Sequence, residues 1–360
     1  MKITNIYTKN LRNNFGENKI YIYSDFDRTL SPNTTGDVFY ATDKNKIEKA
    51  KNNFELINKI LEKYKDITLF ITTGRTNDEL RLMYDLYKKQ GVEFPNAKSI
   101  YIKEGADEIL KDKNITNDYP YTISNTARNE KIKNKTNWNK KDLTQKVFNI
   151  IKENNLTPLE CNSTLSAEKY GKYSIFSTPE KIKNDTVLFR NVGEMKLFLG
   201  FVNEIPQKKY DKIKQEISEY IEKQGIQYKL KEKTQDHECN KFRTMMFMPV
   251  IENHILSKRY DVKEKLNTID NTDLVIVAGD GINDVEMLNP VSYTDKNSEE
   301  EIKKLPYLGI IVQKENEPEP ELEKLNSKFG PNSQFKKLKT IKEGTFAEEI
   351  EKIAKEKYGD

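Results

Sequence analysis

Apolar positions in the first hundred residues alternate between two rhythms. Ile20–Ser24 (IYIYS) is a short apolar run and the first clear strand. Over Asp43–Lys65, the apolar residues Ile47, Ala50, Phe54, Ile57 and Leu61 recur at steps of three and four, the stripe of a helix packed on one side. Ile67–Thr72 (ITLFIT), closed by Gly74, returns to the strand pattern. A second helix is predicted near Asp78–Lys89, ahead of Gly91, and SIYIKEGADEIL then reads as strand, turn, strand. Strand and helix in strict alternation predict a parallel sheet with helices on its faces.

From about Asn114 the grammar changes. Residues Asn114–Asn139 are polar and loop-like, and helices are predicted at Lys141–Glu153 and Gln207–Gln224. Strand-like runs lie at Tyr173–Ser177, Lys196–Val202, Ile226–Lys231 and Arg243–Met248, which suggests an α+β region with an antiparallel sheet. The parallel pattern resumes with a helix at about Tyr260–Thr268, then DLVIVAGDGINDVEML and YLGIIV. QKENEPEPELEKLNSKFGPNSQFKK reads as a surface excursion before a last helix at Phe346–Lys357. The expected division is an N-terminal extension (1–18), an α/β core (19–104), an inserted α+β domain (105–249) and the rest of the core (250–360). No internal repeat is found.

Composition narrows the classes. The 360 residues can bury a sizeable core, and a formal net charge of +4 from 61 basic and 57 acidic residues is no footprint of a nucleic-acid binder. The basic stretch Asn129–Asp142, with Trp138, reads as a solvated loop. Two cysteines, Cys161 and Cys239, make no disulfide framework, and the N-terminus has no apolar h-region. No apolar stretch approaches the ~18 residues of a membrane span. The expectation is a cytoplasmic protein with neither nucleic-acid nor membrane partners.

The chemistry gathers where apolar runs stop. IYIYSDFDRTLSP sets Asp25 and Asp27 at the end of the first strand, two like charges that destabilise each other unless a cation or a shared proton lies between them. If the strand continued, period two would put both on one face. FITTGR places Thr72, Thr73 and Gly74 at another strand end, and VIVAGDGIND places Asp280 and Asp284 past a third. Ligands of open parallel sheets bind outside the carboxyl ends of the strands. Carboxylates and a hydroxyl converging there suit a hard cation, and magnesium fits best if phosphate completes its shell. His237 and His254 are the only histidines, which disfavours zinc or imidazole chemistry, and Asp236–Cys239 offers no partner pair at ligand spacing. GDGIND lacks the final glycine of the dinucleotide fingerprint, and no Walker-type GK[ST] occurs.

DFDRTL, TTGR, a lysine-bearing segment and GDGIND, in this order and each after a strand, resemble the four motifs of the haloacid dehalogenase (HAD) superfamily phosphatases. The motifs cover Ile20–Gly105 and about Arg243–Leu288. The resemblance implies a Rossmann-like α/β core, Asp25 as nucleophile and Asp27 as general acid/base. It implies magnesium held by Asp25, the Asp27 backbone carbonyl and Asp280, with Asp284 holding metal-bound water or the lysine. Thr73 and the Gly74 N–H would bind phosphoryl oxygens. Arg28 departs from the common DxDGT pattern. The long interval after Thr73 and the α+β insert resemble the C2-cap (IIB, Cof-type or sucrose-phosphate-phosphatase-like) class, whose caps read the leaving group. The implied substrate is a sugar phosphate or similar small phosphorylated metabolite. A phosphomutase of the same chemistry and a non-catalytic ligand-sensing module are the alternatives. For the motif's lysine, SKRYDVKEKL offers Lys258, Lys263 and Lys265. Val262 and Leu266 read as the core-facing positions of the helix, which leaves Lys258 at its start as the expected active-site cation, paired with Asp25 or Asp284.

Overall fold

The computed structural model describes residues 19–32, 44–103, 105–161, 185–190, 196–201, 205–237, 240–251, 254–255, 258–268, 272–294, 298–313 and 319–359. Two compact units are present: described residues of 1–73, 81–124 and 257–360 form the first, and those of 74–80 and 125–256 the second.

In chain order, the first unit opens with β1 (Ile20–Ser24), α1 (Lys44–Lys63), β2 (Ile67–Thr72), α2 (Asn77–Lys89), β3 (Ser99–Ile102), β4 (Asp107–Lys111) and β5 (Tyr121–Ser124). The second unit follows with α3 (Thr126–Asn134), α4 (Lys140–Glu153), β6 (Thr157–Cys161), β7 (Thr186–Arg190), β8 (Leu197–Phe201), α5 (Gln207–Lys223), β9 (Tyr228–His237), β10 (Asn240–Ile251) and β11 (His254–Ile255). The first unit then resumes with α6 (Arg259–Leu266), β12 (Leu274–Gly279), short helical turns over Ile282–Asp284 and Val285–Leu288, α7 (Glu299–Lys304), β13 (Tyr307–Gln313), α8 (Pro320–Phe329), β14 (Leu338–Lys342) and α9 (Phe346–Tyr358).

The first unit's sheet has eight strands in the order β14-β13-β12-β1-β2-β3-β4-β5. Neighbours from β14 to β3 run parallel, while β3–β4 and β4–β5 are antiparallel. The order explains the composition of β1: with β2 on one side, β12 on the other and helices packed on the faces, every one of its residues is buried. From β1 the chain builds outward through β2 and β3, then returns to build the other way through β12, β13 and β14. The reversal makes a topological switch point between the carboxyl ends of β1 and β12, where an open sheet forms its crevice. This is the Rossmann-like α/β core with an inserted α+β unit that the motif order implies.

Three expectations are corrected. β4 and β5 complete the first unit's sheet, so the chain leaves that unit after Ser124 rather than at residue 105. The pairing of Ile100 with Ile109 shows why, since both side chains are buried on neighbouring interior strands of one sheet. The polar stretch 114–139 is not all loop: it holds β5 and α3, and it is pinned by Tyr121, Ile132 and Trp138, all buried. The supposed surface excursion holds α8, with Pro320 in its first turn and Leu322, Leu325 and Phe329 buried in the main apolar cluster.

In the second unit, β6 to β10 form a sheet ordered β6-β7-β8-β10-β9, with β11 returning against the end of β10. β6 and β7 pair in parallel and the other pairs are antiparallel. Ile213, Ile217 and Ile221 of α5 and Val147 and Ile151 of α4 are fully buried within it. The strand expected at Tyr173–Ser177, the extension 1–18 and Cys239 lie outside the described residues.

Candidate active site

β1 stops at Ser24, so a turn and not strand alternation carries the chain from Asp25 to Asp27. The turn is tight: Leu30 N–H donates to Asp25 O at 3.2 Å, Ser31 N–H to Phe26 O at 2.8 Å, and Asp27 bridges Ser31. Arg28 has φ +59°, the left-handed conformation that glycine adopts freely and that costs other residues about 1–2 kcal/mol. Asp25 itself is fixed through its own N–H, which donates to Ala278 O of β12 at 2.9 Å.

The GDG turn after β12 wraps around one carboxylate. Asp284 Oδ2 accepts from the N–H groups of Asp280 and Gly281, both at 3.0 Å. Gly279 has no room for a side chain, because a Cβ there would lie 2.4 Å from Asp284 Cβ. Asp25, Asp280 and Asp284 are buried and each offers a carboxylate oxygen within 4.8 Å of the others. Asp27, half-buried, is outside that set.

A cation lies in the middle. Lys258 is 0% exposed, and its Nζ donates to Asp25 Oδ1 at 2.6 Å and to Asp284 Oδ1 at 2.8 Å. Burying an ammonium without partners is prohibitive, so these two bonds are what permit it. Lys265 instead stands 3.8 Å from the centroid of the Tyr21 ring, and Lys263 is half-buried on α6. Lys258 therefore bonds both carboxylates of the cluster that it was expected to meet singly.

One ammonium does not balance the acids around it. Burial pushes the Asp25 carboxyl well above the usual carboxylate range; Lys258 pulls the other way, while Asp284, Asp280 and Asp27 add to the rise. Asp284 is raised by burial too, against Lys258 and with Asp280 adding to it. The residual negative charge and the all-oxygen donor set fit a hard divalent cation.

Thr73 is 1% exposed and follows β2, where its N–H donates to Tyr101 O at 2.9 Å. Gly74 comes next and begins the segment that groups with the second unit. Sequence reasoning missed two buried polar residues, Thr29 beside the cluster and Asp261 beside Thr72. Thr29 Oγ1 donates to Asp280 Oδ1 at 3.4 Å, and its signal was its place in DFDRTL. Asp261 is buried although the helical stripe of α6 pointed to Val262 and Leu266; no sequence signal marked it.

No family model matches the chain, and no curated protein does. Among solved structures it is similar to yhjK of Bacillus subtilis, described as a haloacid dehalogenase-like hydrolase protein, at 15% identity over 98% of this chain and 99% of that one, with TM-score 0.49. It is also similar to a haloacid dehalogenase-like hydrolase from Bacteroides thetaiotaomicron, at 15% identity over 94% of this chain and 100% of that one, with TM-score 0.43. The C-terminal domain of the trehalose synthase regulatory protein of Candida albicans matches at 8% identity, over 87% of this chain and 91% of that one, with TM-score 0.39.

Proposed function

We infer that the protein is a HAD-type phosphatase that hydrolyses a small phosphate ester, a sugar phosphate or a similar metabolite, with magnesium as cofactor. The observation that carries this reading is the buried lysine held between two carboxylates of an acidic cluster at a topological switch point. Three buried carboxylates around one ammonium are a poor structural core and a good phosphoryl-transfer site.

Asp25 attacks phosphorus, forming an aspartyl-phosphate as the bond to the leaving oxygen breaks. Asp27 protonates that oxygen; its carboxylate then takes a proton from the water that attacks the same phosphorus, which frees phosphate and restores Asp25. Thr73 and the Gly74 N–H hold phosphoryl oxygens, and Lys258 neutralises charge as it builds. Magnesium, held by Asp25 and Asp280 with the Asp27 carbonyl and Asp284, would supply further positive charge to those oxygens. Substrate choice falls to the inserted unit.

The test is phosphate release from p-nitrophenyl phosphate and a panel of phosphorylated sugars, with and without Mg²⁺. Wild type is expected to turn over only with the metal, and Asp25→Asn to lose activity by orders of magnitude, since an amide is a poor nucleophile. Appreciable turnover by Asp25→Asn would sink the reading. Phosphate returned to a second sugar instead of water would make the enzyme a mutase.

A further inference from the structure

The first turn of α6 is buried throughout, charged residues included: Lys258 is 0% exposed, Arg259 3%, Asp261 1% and Val262 0%. Lys258 has its bonds to the acidic cluster, and the Arg259 guanidinium stands 5.5 Å from the centroid of the Tyr293 ring. Asp261 faces β2, the neighbour of β1 on the side away from β12. Its Oδ2 accepts from Thr72 Oγ1, the last residue of β2, at 3.3 Å. The carboxylate also fills the space that a side chain at position 105 would need: a Cβ on Gly105 would lie 2.6 Å from Oδ2 and 3.0 Å from Oδ1. Gly105 has φ +84°, so the β3–β4 turn takes a conformation suited to glycine while Asp261 packs against it. Asp261 also helps to keep the Tyr23 hydroxyl un-ionised, after burial and Tyr101.

Thr72 is bonded to Thr73 and Asp261 lies three residues from Lys258. One side chain thus ties together the two chain segments that carry the threonine and the lysine assigned to the phosphoryl group. We propose that Asp261 is a positioning residue for phosphoryl transfer: through Thr72 and the Gly105 turn, it fixes Thr73 and Lys258 relative to each other. A buried carboxylate is expensive to keep, and a purely structural brace at this place is more cheaply made from apolar groups. The inference rests on the phosphatase reading. Asp261 touches no reacting atom in it; it acts by holding the groups that do, and a displacement of about 1 Å in such groups can cost about 10²-fold in rate.

The test compares Asp261→Ala, Asp261→Asn, Thr72→Val and the Ala/Val double variant with Asp25→Asn, on p-nitrophenyl phosphate with Mg²⁺ and the full chain. Asp261→Ala is expected to lower kcat about 10- to 100-fold with KM within a few-fold of wild type, at a temperature where circular dichroism shows it folded. Asp261→Asn keeps an oxygen that accepts from Thr72, so it should recover most of the loss. Thr72→Val, close in shape to threonine, should lower kcat in the same direction and add little in the double variant, because both remove one bond. Near-wild-type kcat in Asp261→Ala, or effects of Asp261→Ala and Thr72→Val that simply multiply, would overturn the assignment while Asp25→Asn remains inactive. An active Asp25→Asn would instead overturn the phosphatase reading, and this inference with it.

Discussion

Lys258 shows what a single buried charge can do. It has two carboxylate partners within 2.8 Å and no exposed surface, so deleting it leaves Asp25 and Asp284 facing each other without the charge that holds them together. Breaking a buried pair from one side typically costs about 3–5 kcal/mol. Chelator-treated Lys258→Ala is therefore expected to lose roughly 3 kcal/mol in a urea titration. Its turnover should fall by orders of magnitude, while Lys263→Ala and Lys265→Ala stay near wild type. A fall shared equally by all three lysines would remove the special place of Lys258. The same imbalance of charge implies that Mg²⁺ raises the melting temperature of the wild type, and that the shift disappears when Asp280 becomes Asn. An unchanged melting temperature on adding Mg²⁺ to wild type would count against the metal.

At the scale of elements, β1, β2 and β12 were legible because each is an apolar run closed within two residues by a glycine or an acid. They stand where the pattern of IYIYS, ITLFIT and LVIVAG put them, and Asp25, Thr73 and Asp280 follow directly after them. What was not legible depends on tertiary neighbours. α8 buries Leu322, Leu325 and Phe329, a stripe at steps of three and four that is present in the sequence but short and set among charged residues and prolines. Asp261 lies beside Val262 on α6, and a helical period buries one and exposes the other only if the helix is packed on one side; this one is enclosed over its first turn. The GDG turn lies between these cases, visible in sequence but explained only by its crowding. Gly279→Ala should push Asp284 off its two backbone N–H groups, abolish turnover and cost about 1–3 kcal/mol, as overpacking does. An active, fully stable Gly279→Ala would show that the turn can give way.

For the whole molecule, a buried lysine and buried tyrosines outside the acidic cluster set the response to alkali. Burial lowers the Lys337 ammonium to about 8 from its ordinary 10.5, with its Nζ donating to Leu305 O. Between those values the unfolded chain holds a proton that the folded chain does not, so stability rises with pH. Above the ordinary tyrosine value of 10.0 the sign reverses, since burial holds Tyr23, Tyr293 and Tyr307 well above it and the unfolded phenols ionise first. The urea midpoint is expected to climb from about pH 8 towards pH 10 and then drop, with the climb flattened in Lys337→Met. A midpoint that declines steadily from pH 8 would contradict this. The strand order has a consequence of another kind, in the timing of synthesis. β1 leaves the ribosome well before β12, its neighbour on one side, which is made about 250 positions later, after the whole second unit. Until then the nascent chain carries an apolar strand with one hydrogen-bonding edge open, the feature that recruits wrong partners and slows folding. The arrangement that gathers the crevice from segments so far apart in the chain thus leaves β1 open to wrong pairing over that whole interval of synthesis.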